Sequence, residues 1–347
     1  MKTMVTGSKI WILGVALVFF CTFTVFAGRG DKSGTAAAPE LLIPVGARTI
    51  ALSGASLSTV SGLESIFWNP AGLSRMQHPF SIMFSHTTYL SDIGVDYVAI
   101  GGEAFGSAAV ALTLKSLSFG QIPITTEDHP DGTGETASPT FMIIGGTFSR
   151  QISDRISTGI TVNYVYEKML KVSASTFAFN AGVQYVGLGG IEGLSVGVCL
   201  KNIGPALKYD GEGLERLVDV TDASRPPSIL KLDATADDLP STIEIGLGYS
   251  TTLTPQGQIN ISSTFQNNNF SEDEYKLGME YIYDNRIFLR SGYAFASEAD
   301  GQEYIFGFSA GAGVRSTVQG IEVIVNYGYR SVQFFAGSHV IDVTLGF

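Results

Sequence analysis

Six charged residues lie in stretches of sequence where apolar residues alternate with other residues. Each of the six is on the opposite face from the apolar one, a face whose residues are mostly polar or glycine. Carboxylates and basic groups that share one sheltered face can select solutes by charge or hold a second segment through ion pairs. Alternatively, such charges simply pair with each other across neighbouring strands. Both interpretations stay open for this set, which comprises Lys201, Glu244, Glu280, Arg290, Glu322 and Arg330.

No residue pattern typical of an enzyme or a metal site accompanies these charges. The four histidines have neither metal-ligand spacing nor a nucleophile motif beside them. The acidic residues between positions 205 and 239 do not follow the ligand spacing of a calcium loop. Cys199 is the single cysteine after residue 27, and we interpret it as a small side chain that fills space in the packing. We therefore predict that the protein is not an enzyme and that it holds no cofactor and no metal.

The composition excludes several classes of protein. Hydrophobic residues make up 45% of the 347 residues and charged residues only 15%, whereas soluble domains carry about 25% charged residues. The net charge of −11 argues against nucleic acid as a partner. Residues 1–27 combine Lys2 and Lys9 with an apolar run that ends at Ala27, which is typical of a secretory signal peptide. No later stretch approaches the roughly 20 apolar residues of a membrane helix.

From residue 79 onward the sequence alternates between apolar and polar residues with a period of two, which indicates strands. The segments are longer than strands of soluble proteins, and tyrosine and phenylalanine gather near their ends. Both features are typical of strands that cross a bilayer between two aromatic girdles. We therefore predict an all-β fold, a fourteen-stranded antiparallel transmembrane barrel over residues 79–347. A soluble sandwich is the alternative.

The connections between segments predict how the barrel lies in a bacterial outer membrane. Those after segments two, four and ten are tight, whereas the two longest, at 119–137 and 204–240, fall on the opposite side. Barrels of this kind have short periplasmic turns and longer external loops. We therefore expect both termini in the periplasm and the long loops outside. The terminal Phe347 ends an alternating segment and resembles the signal that the barrel-assembly machinery reads.

Residues 28–78 do not alternate and form a separate N-terminal part, a flexible segment followed by a plug. Between positions 46 and 55 small residues recur at helical spacing, which would let this segment fit inside a narrow lumen. Asn69 and Pro70 then favour a turn that leads to the first strand. Arg48 would meet the acidic lumen wall, and we expect it to pair with Glu244 or Glu280.

The stretch GARTIALSGASLSTVSGLESIFWNPAGLS resembles the N-terminal signature of the PorV/PorQ family, within the FadL-like class of fourteen-stranded barrels. The matching residues are Gly46, Ala47, Arg48, Gly54, Trp68, Asn69, Pro70, Ala71 and Gly72. The chain departs from the pattern at Leu52-Ser53-Gly54 and at Ser61-Gly62-Leu63-Glu64. These departures affect the assignment to a particular branch of the family and leave the assignment to the class unchanged.

The resemblance implies work in type IX protein secretion and in the surface attachment of secreted cargo. Implied partners are outer-membrane lipid, the barrel-assembly machinery, other secretion-system components and cargo proteins. The alternative is a FadL-like passive transporter that carries hydrophobic small molecules across the outer membrane, with the plug as its gate and a lateral opening in the wall. A cargo receptor needs a protein-binding surface, whereas a transporter needs an apolar tunnel.

Overall fold

A computed structural model describes residues 34–218, 228–296 and 304–347 of the chain. The predicted signal peptide, residues 1–27, lies outside the described residues. Within the described residues, no helix is long and apolar enough to cross a membrane.

Fourteen antiparallel strands form a closed barrel in which each strand pairs with its neighbours in sequence order. The barrel closes where β1 pairs with β14, from Ser81 opposite Gly346 to Thr88 opposite His339. Closure gives every strand two partners, which satisfies the backbone polar groups that lipid cannot satisfy. The strands are β1 Phe80–Thr88, β2 Gly94–Glu103, β3 Ala108–Ser118, β4 Thr140–Gln151, β5 Ile156–Met169, β6 Val172–Val186, β7 Leu194–Ile203, β8 Thr242–Thr254, β9 Gly257–Asn268, β10 Glu274–Tyr283, β11 Ile287–Ala296, β12 Phe306–Val318, β13 Ile321–Val332 and β14 Ser338–Gly346.

The predicted fold is confirmed, and most strand boundaries agree with the alternation to within about three residues. The twelfth segment is the exception, because its predicted range of 302–313 is displaced from the observed Phe306–Val318. Residues 315–317 lie between the predicted twelfth and thirteenth segments, yet they continue the strand. The true turn lies at Gln319 and Gly320, whose φ angles of 54° and 87° are those of a tight hairpin.

The alternation separates two faces with different surroundings. Apolar side chains such as Phe84, Ile160 and Phe177 point outward and are about half exposed. Inward positions carry buried polar residues, among them Gln184 and Asn326. An apolar outer belt around a polar interior is the arrangement that a bilayer requires of a barrel.

The connections differ strongly between the two ends of the barrel. The end where β1 begins and β14 finishes, here called the terminal end, has short turns at residues 104–107, 152–155, 255–256, 284–286 and 319–320, with a longer one at 187–193. The opposite end, here called the loop end, carries the long connections 119–139 and 204–241 together with the two-residue connection 170–171. Small ladders lie in the long connections: Ile122–Pro123 with Thr136–Ala137, Leu207–Lys208 with Ala236–Asp237, and Glu215–Val218 with Ser228–Lys231. Short 3-10 turns complete the connections at Leu90–Asp92, Leu188–Gly190 and Glu212–Leu214.

The described residues 34–78, here called the plug, fill the lumen. The plug contains two short α-helices, α1 (Ala47–Ala51) and α2 (Ser65–Trp68), and 3-10 turns at Pro39–Leu42 and Pro70–Arg75. It starts at the loop end, where the Ala37 N–H donates to the Asp238 carbonyl, and it reaches the terminal end where β1 begins. The expectation that both termini share one end is not tested by this path. The N terminus itself lies outside the described residues.

Glycines on the inner face make room for the plug. On β11 a Cβ added at Gly292 would lie 2.4 Å from the carbonyl carbon of Leu52. On β13 a Cβ added at Gly328 would lie 2.7 Å from the Ala47 carbonyl oxygen. Real Cβ atoms do not tolerate such distances to backbone atoms. The plug backbone can therefore pack against the wall at these positions only because they are glycines.

We predict that Gly292→Ala displaces the plug without opening the barrel, because the added methyl group meets plug backbone. The variant should keep the heat-modifiable gel mobility of a folded barrel, whereas protease should cut its N-terminal segment several-fold faster. Gly146→Ala is the matched control, since a Cβ at Gly146 meets nothing within 4 Å. Equal protease resistance of Gly292→Ala and wild type would contradict the claim that Gly292 makes room for the plug backbone.

Candidate functional site

Arg48 joins the plug to the barrel wall through a buried carboxylate. Its Nε and Nη2 atoms donate to the two carboxylate oxygens of Glu280 at 3.0 and 2.9 Å. Arg290, which faces Glu280 across the β10–β11 ladder, donates to the same carboxylate at 2.7 Å. Glu280 is therefore held between two guanidinium groups, one from the plug and one from the wall. Such a bidentate pair fixes orientation as well as contributing energy.

Helix α1 begins without a capping side chain of its own, because Gly46 precedes it. Two carboxylates from elsewhere take that role. Asp342 of β14 accepts from the Ala47 N–H at 2.6 Å, and Glu64 accepts from the Thr49 N–H at 2.8 Å. Free N–H groups at a helix start favour negative partners. The wall thus fixes the position from which Arg48 reaches Glu280.

A chain of hydrogen bonds continues from the arginines around the wall. Arg290 donates to the Asn326 Oδ1 atom at 2.8 Å, and Asn326 donates to Asp342 at 2.8 Å. Asn260 adds a hydrogen bond of 3.0 Å to Glu280. We call Arg48, Glu280, Arg290, Asn326 and Asp342 the Glu280 cluster. It connects four strands of the wall to α1.

The signature residues around Asn69 hold the second half of the plug. The Asn69 side chain donates to the carbonyl oxygens of Leu57 at 3.2 Å and of Val183 at 3.1 Å, and it accepts from the Ala71 N–H at 3.2 Å. Trp68 is 5% exposed and donates its indole N–H to the Val45 carbonyl at 3.0 Å. This arrangement makes the turn a packing element that ties plug and wall together.

The small residues of the signature are needed for close approach. A Cβ at Gly72 would lie 2.3 Å from the Val60 carbonyl oxygen, and a Cβ at Gly46 would lie 2.4 Å from a Glu64 carboxylate oxygen. A Cβ at Gly54 would lie 3.1 Å from the Trp68 ring. Ala47, Pro70 and Ala71 are fully buried.

The remaining predicted charges lie on the lumen side with other partners. Lys201 pairs with Glu244 at 2.8 Å and lies 5.2 Å from the Trp68 ring centroid. Arg48 therefore uses Glu280 and not Glu244. Arg330 lies over the Phe306 ring, and Glu322 contacts His78 at 3.0 Å.

Several lumen residues were not singled out from the sequence. Lys115, Glu167 and Asp342 are all at most 4% exposed. Parity within β5 and β14 was the available signal for Glu167 and Asp342, because it places them on the face that carries polar and glycine residues. In β3 the residues on the face of Lys115 are mostly apolar, so parity gave no such signal there. Across the described ranges, no group of three or more His, Cys, Asp or Glu side chains could hold a metal ion.

Cavities remain on both sides of the plug, and the two larger ones that the described residues form inside the lumen share no lining residue. The cavity at the loop end has a volume of about 300 Å³ and is lined by Leu42, Pro44, Trp68, Lys201 and Arg330 among others. The cavity at the terminal end has a volume of about 310 Å³ and is lined by Arg48, Glu64, His78, Arg290 and Glu322 among others. Charged side chains line both cavities. Neither is an apolar tunnel.

A closed fourteen-stranded barrel with an apolar outer face and a plugged lumen defines a protein of the bacterial outer-membrane barrel class. Solved structures with this fold include the CymD monoaromatic hydrocarbon channel, with a TM-score of 0.53 at 13% identity over 88% of this chain and 97% of that chain. The Pseudomonas putida toluene transporter TodX has a TM-score of 0.54 at 13% identity over 87% of this chain and 97% of that chain. A Pseudomonas aeruginosa FadL homologue has a TM-score of 0.51 at 11% identity over 87% and 98%. Such identities show a shared fold alone.

The family model described as "Type IX secretion system protein PorV" matches residues 27–224, more than half of the chain. The chain belongs to the PorV family, and the predicted resemblance is confirmed. It is an outer-membrane barrel protein of type IX secretion, in a family that is not one of enzymes. No curated protein sequence matches the chain.

We predict that Arg48→Ala weakens the docking of the plug by about 2 kcal/mol, because a charged hydrogen-bonded partner of Glu280 is lost. Thermal melting of the purified barrel, followed by protease sensitivity of the plug, measures the effect. Arg286→Ala is the control, since Arg286 and Asp284 form an exposed pair at 3.8 Å and exposed pairs contribute little. A variant of Arg48 as stable as the control would show that the Glu280 cluster does not hold the plug.

Proposed function

We propose that this PorV-family barrel serves secretion by binding protein partners at its loop end, while the plug keeps its lumen closed. The observation that carries the proposal is an exposed apolar ladder in the longest connection, formed by Glu215–Val218 and Ser228–Lys231. We call these two strands the arm. The partners that the family suggests are secreted cargo and other components of the secretion system.

Every residue of the arm is exposed. Leu217 is 70% exposed, Ile229 67% and Leu230 50%. Large apolar residues grouped on a surface that lies beyond the membrane-spanning strands mark interaction sites. Within the described residues the arm pairs with no other strand, so its outer edges also offer backbone donors and acceptors to a partner.

The base of the arm is fixed to the barrel wall. Asp210 and Ser173 exchange two backbone hydrogen bonds, of 2.9 and 2.8 Å. The Gly213 N–H donates to the Lys171 carbonyl at 3.2 Å, and Lys231 forms an ion pair with Asp210. A fixed base lowers the entropy that a partner must overcome on binding. This supports a role for the arm as a docking element.

The rival function is passive transport of hydrophobic small molecules. Proteins described as a hydrocarbon channel and a toluene transporter share the fold at 13% identity, which says nothing about cargo. The lumen here argues for the secretion role, because the Glu280 cluster anchors the plug and charged residues line both cavities. A hydrophobic solute would have to displace a bidentate ion pair to pass.

The proposed orientation has the loop end outside the cell and the C terminus in the periplasm. Short turns on the periplasmic side are the rule for bacterial barrels. Phe347 lies against Phe80 at the terminal end, with 5.8 Å between ring centroids, where it would serve as the proposed assembly signal.

Epitope tags test this orientation. We expect tags inserted near Gly132 and near Gly213 to bind antibody on intact cells, because both residues lie in loop-end connections. A tag near Asp284, in a turn at the terminal end, should bind only after the outer membrane is permeabilised. The reverse pattern would invert the proposed orientation.

Replacing the apolar residues of the arm tests the function. We expect Leu217→Ser combined with Ile229→Ser to reduce surface-attached cargo roughly tenfold, which corresponds to about 1.4 kcal/mol of lost binding free energy. The level of folded barrel should not change. Ile122→Ser is the control, since Ile122 is an exposed apolar residue in the other long connection. Normal cargo attachment in the double variant would exclude the arm as the docking surface. If Arg48 variants instead lost the uptake of hydrophobic solutes, that result would favour transport.

A further inference from the structure

Two buried carboxyl groups lie on segments that pack together where the plug begins, because Ala38 and Leu41 share one apolar cluster with Val165. Glu40 lies in the 3-10 turn Pro39–Leu42 and is 1% exposed, and Glu167 of β5 is 2% exposed. Neither carboxylate oxygen of Glu40 has a hydrogen-bond partner, and neither does the Oε1 atom of Glu167. Leaving ionised oxygens buried and unpaired is costly. The Glu280 cluster does not include these groups.

The charged and titratable groups that face this pair come from three further elements. Lys115 of β3 donates to the main-chain oxygens of Glu40, at 2.7 Å, and of Ile43. It therefore binds the backbone of the turn and leaves the Glu40 carboxyl free. Lys201 of β7 lies close enough to Lys115 to affect it electrostatically. From the connection 204–241, Tyr209 donates its hydroxyl hydrogen bond to the Oε2 atom of Glu167.

Two adjacent carboxyl groups in a dry site do not both ionise. Burial raises the pKa of Glu40 to about 8, the charge of Glu167 adds to the rise, and Lys115 opposes it. A proton on Glu40 that is donated to the Oε1 atom of Glu167 would join two of the three unpaired oxygens. The pair then resembles a carboxylic acid bonded to a carboxylate, with Tyr209 bonded to the far side.

We propose that Glu40 keeps a proton that it donates to Glu167, and that with Tyr209 these two groups form a latch that holds the base of the connection 204–241 against the wall and the plug. Loss of that proton to solvent leaves two facing carboxylates, whose repulsion moves the plug turn away from the wall. The connection then loses its contacts with the plug, in which Leu207 and Leu239 pack against Ala38 and Leu41. The latch consists of one residue from the plug, one from the wall and one from the loop end. Its action does not depend on what the arm binds.

The direction of the pH effect follows from the raised pKa of Glu40. The latched form keeps a proton that the released form gives up above its ordinary pKa of 4.5. The ratio of released to latched molecules therefore rises up to tenfold per pH unit between about 4.5 and about 8, and levels off above that range. The connection is held most firmly in acid and most loosely in alkali.

Hydrogen exchange at two amides measures the latch. The N–H groups of Asp210 and Gly213 bond to Ser173 and Lys171, so they are protected only while the base of the connection is docked. In the wild-type barrel, exchange corrected for the intrinsic rate should rise from pH 6 to pH 8. Glu40→Gln should abolish this slope, because the amide is neutral throughout. Glu212→Gln, an exposed residue of the same connection, should keep it.

A second variant keeps the proposal testable if Glu40→Gln does not insert. Tyr209→Phe retains the carboxyl pair but removes the donor from the connection, so Asp210 and Gly213 should exchange quickly even at pH 6. The amides of the plug should stay protected in that variant. Folding of each variant is checked by heat-modifiable gel mobility.

Three results would overturn the proposal. The first is the same pH slope in Glu40→Gln as in wild type, and the second is unchanged protection in Tyr209→Phe. The third is protection at pH 8 that added calcium restores in wild type but not in Glu167→Gln. That last result would show that a cation, and not a proton, joins the two carboxyl groups.

Discussion

The position of the plug depends on the buried carboxylate of Glu280. A barrel wall in lipid turns its apolar side chains outward, so its polar groups collect in the lumen and need partners there. Glu280 has Arg290 from the neighbouring strand and Arg48 from the plug. Because a buried charge without a partner is strongly unfavourable, the wall and the plug stabilise each other. The bidentate geometry also fixes α1 in register with the wall.

Glycine and charge act together in that arrangement. Inner glycines such as Gly292 and Gly328 let the plug backbone lie directly on the strands. Close approach brings the N–H groups at the start of α1 within reach of Asp342 and Glu64. Side chains at those glycine positions would push α1 away, and Arg48 would no longer reach Glu280. The inner surface of the barrel therefore matches the plug in shape and in charge, and the described residues leave cavities on both sides of the plug.

The same architecture supports different functions in different proteins. Barrels of similar fold are described as a hydrocarbon channel and a toluene transporter, while this chain belongs to a type IX secretion family. Function on a shared fold resides in the parts that vary. In this chain an anchored plug occupies the lumen, and the long connection 204–241 carries an exposed apolar arm. At the loop end, Tyr209 of that connection donates a hydrogen bond to Glu167 of the wall.

The sequence by itself determined the strand count, the two faces and the signature turn, because a period of two and an Asn-Pro turn are local properties. It limited the partner of Arg48 to two carboxylates but could not choose between them. That choice depends on the register that sets Glu280 beside Arg290 and Glu244 beside Lys201. The path of the plug and the meeting of Glu40, Glu167 and Tyr209 were likewise decided only by the tertiary structure. These groups are more than 40 residues apart in sequence, and barrel closure with lumen packing brings them together.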